Sequence, residues 1–363
     1  MRILVAPDSF KGTATAAQAA TAIAAGWRSA RPADTVVELP LADGGEGSAA
    51  VIRASTPGAH EIRCRATGPD GGPIEAGWLL LPDGTAVVEL AAASGLTLMR
   101  RQDALSAQTT GFGQLLAAAA RHPRVKRIVA TVGGSAATDG GAGALSALGA
   151  RFLDAAGLPL GPGGGPLNRC VKVDVSTLVP APEGGVEVLT DVTAPLLGLR
   201  GAAAVFGPQK GASAGDVALL DASLAQLAAV IGGEPDRAGA GAAGGAAFGL
   251  AALWNARLVP GAQRIGEIVG LAAALDRSDL VITGEGRFDE QSTTGKVVGH
   301  LLGSVAGQRV LLIAGQVDGP LPARIERAVE LRALAGSGER AMIDTERWLR
   351  AAGAELAAAT TGG

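Results

Sequence analysis

The groups in this chain with the makings of chemistry are acids set on glycine-rich turns. Asp8, Ser9 and Lys11 lie in Pro7-Asp8-Ser9-Phe10-Lys11-Gly12, and Asp43 and Glu46 flank Gly44 and Gly45. Ser135 and Asp139 border Gly140 and Gly141, while Asp191 precedes Lys210 of Gly207-Pro208-Gln209-Lys210-Gly211. Thr283-Gly284-Glu285-Gly286 runs on through Arg287 and Asp289 to Lys296. Carboxylates hold a divalent cation directly or through water, and glycine amides approach anions closely. Acids for Mg²⁺, with cations and amides for phosphates, are what ATP-dependent phosphoryl transfer requires, because its catalysis is mostly positioning and charge stabilisation. Plainer explanations exist for each turn taken alone. Asp and Ser cap helix N-termini, and Asp191 with Lys210 fits an Asx turn beside a solvated lysine. The density of polar groups directly after buried runs favours the functional reading.

Periodicity indicates the elements that must position these groups. Ile3–Ala6 reads as a short buried strand, followed by a helix over Thr15–Arg28 with Thr13 or Thr15 as its N-cap. Thr35–Leu39 is a second strand, and a helix starts after Ser48. Leu280–Ile282 reads as a buried parallel strand that stops at Thr283, where two glycines let the backbone turn. Ligands of open α/β sheets sit outside the carboxyl ends of strands, which is where these acids emerge. Between the βα units, His60–Leu90 alternates polar and apolar residues around two turns, an antiparallel meander that marks an inserted domain. A helix is expected over Asp103–Arg121, strands over Arg127–Thr131, Phe152–Asp154 and Val186–Leu189, and helices over Asp216–Ile231 and Arg264–Leu275. Arg309–Ala314, a helix near Leu321–Arg327, Val329–Leu334 and a closing helix over Thr345–Ala358 complete a βα series, with Thr360–Gly363 frayed.

Composition excludes several classes. With 363 residues the chain is long enough for two cores. Tyrosine is absent and 48% of residues are hydrophobic, so the interior is built of Ala, Val, Leu and Ile. A net charge of −3 with no Lys/Arg stripe argues against nucleic acid as a partner. Cys64 and Cys170 lack metal-ligand spacing, which fits a reduced, cytoplasmic protein. Met1–Ala6 reads as a strand rather than a leader, and no apolar run is expected to span a membrane. Gly295-Lys296 is followed by Val297, so there is no P-loop, and the protein-kinase signatures are missing. Gly239-Ala240-Gly241-Ala242-Ala243-Gly244 matches a dinucleotide-binding string, but no strand precedes it.

Taken together, Ala6-Pro7-Asp8-Ser9-Phe10-Lys11-Gly12, Ala42-Asp43-Gly44-Gly45-Glu46-Gly47, Gly133-Gly134-Ser135-Ala136 with Asp139-Gly140-Gly141, Phe206-Gly207-Pro208-Gln209-Lys210-Gly211 and Thr283-Gly284-Glu285-Gly286 with Asp289 and Gly295-Lys296 resemble the bacterial type I glycerate kinases. The likeness runs from the first strand to the last helix. It implies ATP-dependent phosphorylation of D-glycerate, commonly at the 2-hydroxyl, by a monomer or homodimer. It also implies an α/β fold of two domains, a flavodoxin-like (Rossmann-like) parallel-sheet domain over residues 1–57 and 256–363 with a mixed-sheet α/β domain, residues 58–255, inserted in it. The chain departs from the family pattern at Ala137, Thr138 and Ala194.

The expected roles follow from chemistry and resemblance combined. Asp191 is the first choice for the base, with Asp139 second. Asp43 and Glu285 are the candidates for Mg²⁺. Lys11, Lys210 or Arg287 would meet the substrate carboxylate or the transferred group. Asp8, Ser9, Glu46, Ser135, Gly284, Asp289, Lys296 and the amides of Gly44, Gly45, Gly140 and Gly141 complete the expected binding set. A kinase for another small hydroxy acid, a 3-phosphoglycerate-forming enzyme, and a non-catalytic glycerate or nucleotide sensor are the alternatives.

Overall fold

The computed structural model describes residues 1–293 and 295–360. Its strands, in chain order, are β1 (Arg2–Val5), β2 (Thr35–Glu38), β3 (His60–Thr67), β4 (Pro73–Leu80), β5 (Thr85–Glu89), β6 (Arg127–Thr131), β7 (Arg151–Leu153), β8 (Lys172–Asp174), β9 (Val186–Leu189), β10 (Arg257–Val259), β11 (Leu280–Phe288), β12 (Arg309–Val317) and β13 (Ile325–Glu330). The chain divides into two compact units, one of Met1–Asp43, Ala50–Thr56 and Pro260–Gly363, the other of Gly44–Ala49 and Pro57–Val259.

In the first unit the strands lie side by side as β13-β12-β11-β1-β2, every neighbouring pair parallel. Counted within this unit alone, that order is flavodoxin-like. Ile3, Val5, Leu280, Ile282, Leu311 and Ile313 face a buried layer completed by Ile23, Trp27, Leu349 and Leu356 of the helices Ala16–Ala30 and Thr345–Ala359. The first of these helices begins at a Thr15–Gln18 capping box, which satisfies amides the helix start leaves unpaired. The two helices touch backbone to backbone. A Cβ on Gly26 would lie 1.9 Å from the Arg350 carbonyl oxygen, so only glycine fits there.

The second unit has a mixed sheet ordered β10-β9-β6-β5-β4-β3. Its β5, β6, β9 and β10 are parallel, whereas β3, β4 and β5 form the antiparallel meander expected of His60–Leu90. A small antiparallel pair, β7 with β8, stands apart. Its core is built around Trp78, Phe112, Leu115, Leu145 and Leu250.

The structure corrects several expectations. β11 does not stop at Thr283; it continues to Phe288 because β12 accompanies it, with Glu285 opposite Ala314 and Phe288 opposite Val317. The Asp103–Arg121 helix begins only at Thr110, because the Asp103 carboxylate accepts from the amides of Leu105 and Ser106 and closes a local turn first. Gly270, at φ +77°, breaks the expected Arg264–Leu275 helix into Gly261–Val269 and Leu271–Leu275. Residues 325–327 form a strand rather than a helix, joined to the strand expected from Val329, and Leu331–Ala335 is helical where that strand was expected to continue. Thr360 is not frayed: it is 5% exposed, and its carbonyl accepts from Arg31. Residues 361–363 lie outside the described residues. The helix Ala214–Ile231 is, contrary to expectation, long and apolar enough to cross a membrane. It is held within the second unit by a Ser213–Asp216 capping box at its start and by the buried side chains of Leu220, Leu224 and Leu227. Finally, β10 and residues 44–49 belong to the second unit, because β10 pairs with β9 and the Glu89 carboxylate accepts from the amides of Gly47 and Ala49.

Asp34 ties the start of the first unit together. It accepts from the N-terminal ammonium at 2.9 Å, Trp27 Nε1 at 3.0 Å and Arg31 Nε at 2.7 Å. Burial pushes its carboxyl up, but these donors outweigh burial and hold it at about 2. The stability so gained is fully present above the ordinary value of 3.8 and is lost as pH falls through about 2. Asp34→Asn should lower unfolding stability by about 1–3 kcal/mol at neutral pH and flatten the loss of stability below pH 4, both read from urea melts.

Candidate active site

In the first unit the connections leave β1 toward β2 on one side, while β11 and β12 extend on the other, so β1 and β11 flank the topological switch point where open α/β sheets bind ligands. Asp8 lies just beyond β1, with its amide donating to Gly284 O of β11 at 2.8 Å. Side chains alternate along a strand. Gly284 and Gly286 therefore share one face of β11, and there Phe10 packs close enough that a Cβ on Gly284 would sit 3.5 Å from its ring. Glu285 takes the opposite face. These glycines admit the Pro7–Gly12 turn instead of bending their own strand.

Glu285 is 8% exposed, and its Oε1 has no hydrogen-bond partner among the described residues. Burial raises its carboxyl to about 7, with Asp289 and Asp43 adding to the rise and Ser292 and Lys296 opposing it. Asp8 is likewise raised to about 7, by burial first and then by the charges of Asp43 and Glu285, against the Ser9 amide and Lys11. The Ser9 amide donates to Asp8 Oδ1 at 2.6 Å. Asp8, Asp43 and Glu285 thus form one electrostatic cluster. Lys11 is exposed beside it, and Lys296, half-buried, precedes the helix Val297–Ser304. Asp289 accepts from the Gln291 amide at 2.9 Å in a turn that brings Ser292 under the end of β11. Arg287 Nε donates to Asp318 Oδ2 at 2.6 Å, while Gln316 Nε2 holds Asp318 Oδ1 at 2.7 Å.

In the second unit the expected ligand groups are engaged in holding the chain. Asp139 is fully buried and accepts from Thr109 N at 2.9 Å, Thr109 Oγ1 at 2.8 Å, Gly141 N at 3.0 Å and Gly143 N at 3.2 Å. Burial pushes its carboxyl up, and these donors oppose the rise. Asp139 clamps the glycine turn. Lys210 is also buried, and its Nζ donates to Ala137 O and Thr138 Oγ1; burial brings its ammonium down to about 8, against the pull of Asp139. It therefore props the same turn. The Gly140 amide donates to Gly244 O and the Gly141 amide to Asp139, so neither is offered to an anion. Ser135 Oγ accepts from the Ala137 amide within the turn. The family departures Ala137 and Thr138 are thus the two residues that receive Lys210, and Ala194 O accepts from the Gly241 amide.

The remaining expected residues fall in two places. Gly44, at φ +92°, receives the Gly133 amide on its carbonyl, and Gly45 O accepts from Ser48. Glu46 is exposed and Asp191 half-buried, the latter two residues past the end of β9. Sequence reasoning missed Glu89, buried at the end of β5, whose two oxygens take the amides of Gly47 and Ala49 and whose carboxyl is raised by burial. An acid closing an apolar strand run, Ala86–Leu90, was the signal for it. Thr109, Ser292 and Asp318 were also missed, and no local pattern marks them.

The family model described as the glycerate kinase family matches residues 3–361. The chain belongs to the glycerate kinase family. It is a kinase, and its phosphoryl donor is ATP. Among relatives, it is 43% identical over 305 residues to a glycerate kinase of Bacillus subtilis (strain 168), covering 82% of this chain and 79% of the other. It is 42% identical over 306 residues to a glycerate 2-kinase of Escherichia coli (strain K12), covering 82% and 80%. A crystal structure from Salmonella typhimurium LT2, named as a candidate glycerate kinase 2, superposes with a TM-score of 0.81 at 35% identity over 99% of this chain and 97% of that one.

The clamp assignment separates from the catalytic one by measurement. Asp139→Asn replaces an acceptor by an NH₂ group facing donors and should lower stability by about 2–4 kcal/mol in urea melts. The fraction that folds should keep kcat within about tenfold of the parent, whereas loss of a base removes at least about a hundredfold.

Proposed function

We propose that this kinase transfers the terminal phosphoryl group of ATP to the 2-hydroxyl of D-glycerate, releasing 2-phosphoglycerate and ADP. The observation that carries the reading is the Asp8, Asp43 and Glu285 cluster at the switch point, with one buried Glu285 oxygen that has no hydrogen-bond partner among the described residues. The Escherichia coli relative named glycerate 2-kinase supports the position of transfer.

The donor set fits Mg²⁺. Among the described residues no group of three or more side chains is arranged as a self-sufficient metal cage. Mg²⁺ ordinarily keeps several waters and takes one or two carboxylates together with substrate phosphates, so Asp43 and Glu285 suffice. Bound there, the ion would neutralise charge on the transferring phosphate oxygens. Lys11, Lys296 and the terminal nitrogens of Arg287 supply cations near the same sheet edge, where they would orient phosphate and carboxylate groups. Asp191 remains the group for orienting the attacking hydroxyl and accepting its proton, since Asp139 is fully engaged.

The test is a coupled ADP-release assay over a panel of small hydroxy acids, with the phosphorylated product identified. Turnover of D-glycerate to 2-phosphoglycerate supports the reading, and 3-phosphoglycerate or a different acceptor overturns it. Asp191→Asn should lower kcat at least about a hundredfold with unchanged melting behaviour. Glu285→Gln should raise the Mg²⁺ concentration for half-maximal rate by at least about tenfold, since losing one charged ligand weakens a cation with few protein ligands.

A further inference from the structure

A cavity of about 460 Å³ opens at the carboxyl ends of β12 and β13, lined by Val317, Glu330, Arg332, Ala333 and Gly336. It lies within the first unit, and none of these residues belongs to the acidic cluster. Its volume falls in the roughly 300–1,000 Å³ range of small-molecule sites. The lining offers three kinds of group: an acceptor-only carboxylate, a guanidinium and an apolar wall of Val317 and Ala333. Neither Glu330 nor Arg332 makes a side-chain hydrogen bond among the described residues.

A carboxylate past a strand end receives the hydroxyls of a ribose in open α/β sheets, and a guanidinium matches phosphate oxygens. Asp318, next to Val317, links this cavity to β11. It holds Arg287 of β11 through Nε alone, leaving the terminal nitrogens of Arg287 without a partner among the described residues, and it also feels the charge of Arg332. β12 and β1 lie on either side of β11, about 10 Å apart at ordinary strand spacing, a span that a nucleoside triphosphate bridges.

Resting on the reading of ATP as the donor, we propose that this cavity seats the nucleoside of that ATP, with its ribose hydroxyls on Glu330 and its first phosphate on Arg332. Asp318 acts as a positioning residue, aiming the free nitrogens of Arg287 along the phosphate chain.

The experiment measures binding to the full-length protein by calorimetry with ADP, 2′,3′-dideoxy-ADP and inorganic tripolyphosphate, alongside steady-state kinetics. Ala333→Trp fills the cavity from an exposed helical position. It should weaken ADP binding and raise KM for ATP by at least about tenfold, while tripolyphosphate binding and KM for glycerate stay within about twofold. Glu330→Gln should weaken ADP by about fivefold but leave dideoxy-ADP unchanged, because only the former brings hydroxyls to the carboxylate. The second variant keeps the test decisive if the first fails to fold. Unchanged ADP affinity in either variant, with melting temperatures matching the parent, overturns the proposal. Because ADP binding is read without glycerate, this outcome is independent of which acid the enzyme phosphorylates.

Discussion

Three carboxylates forced together at one sheet edge are the constraint on which the first unit depends. Asp8 is fixed there because its backbone continues the β1–β11 pairing, and Glu285 because it faces away from the Phe10 packing. Burial and the neighbouring acids both disfavour the charged forms of Asp8 and Glu285. Since the folded values of Asp8 and Glu285 are raised to about 7 from 3.8 and 4.5, their contribution to stability is fully present below the ordinary carboxylate range and is lost as pH rises through about 7. A divalent cation reverses the sign of that contribution, because it favours the ionised carboxylates. Under the proposed Mg²⁺ reading, the repulsion at this edge is what a bound cation would relieve.

Glycine carries much of the remaining architecture, and in two opposite ways. In β11 and the contact between the first and last long helices it removes side chains so that backbones can touch. In the Thr138–Gly143 turn it supplies left-handed backbone, φ +61° at Gly140 and +77° at Gly141, and the turn is held closed by Asp139 from inside and Lys210 from beneath. Buried charges of opposite sign within one turn are costly unless each is hydrogen-bonded, and here each is. Glu285 at the switch point keeps one buried oxygen without a partner among the described residues, whereas both oxygens of Asp139 accept hydrogen bonds.

Much of this was legible in the chain. The βα alternation, the inserted meander and the capping signal at Thr15 depend on local periodicity, and the structure reproduces them. The failures share a cause. Glycines at 284 and 286 look like a turn in one dimension, but their neighbour β12 keeps them extended, and only tertiary pairing shows that. Residues 325–327 lack a strand signal because this edge strand carries two consecutive exposed charges, Glu326 and Arg327. Charge in a glycine loop ordinarily means exposure, yet Lys210 and Asp139 are buried. Their burial follows from long-range partners, Ala137 with Thr138 and Thr109, that no spacing rule anticipates.

The contact of Gly26 with Arg350, and of Gly353 with Ile23, has a consequence for how the molecule is made. On the ribosome β1 emerges first, yet its neighbour β11 and the helix that seals its layer are translated last. The second unit, nearly continuous in sequence, is complete while the opening strand still waits for its partners. The amino-terminal segment must therefore remain unpaired through most of synthesis. A ribosome that stalls before residue 345 leaves a chain whose second unit is complete and whose first-unit sheet lacks the helix that seals its layer.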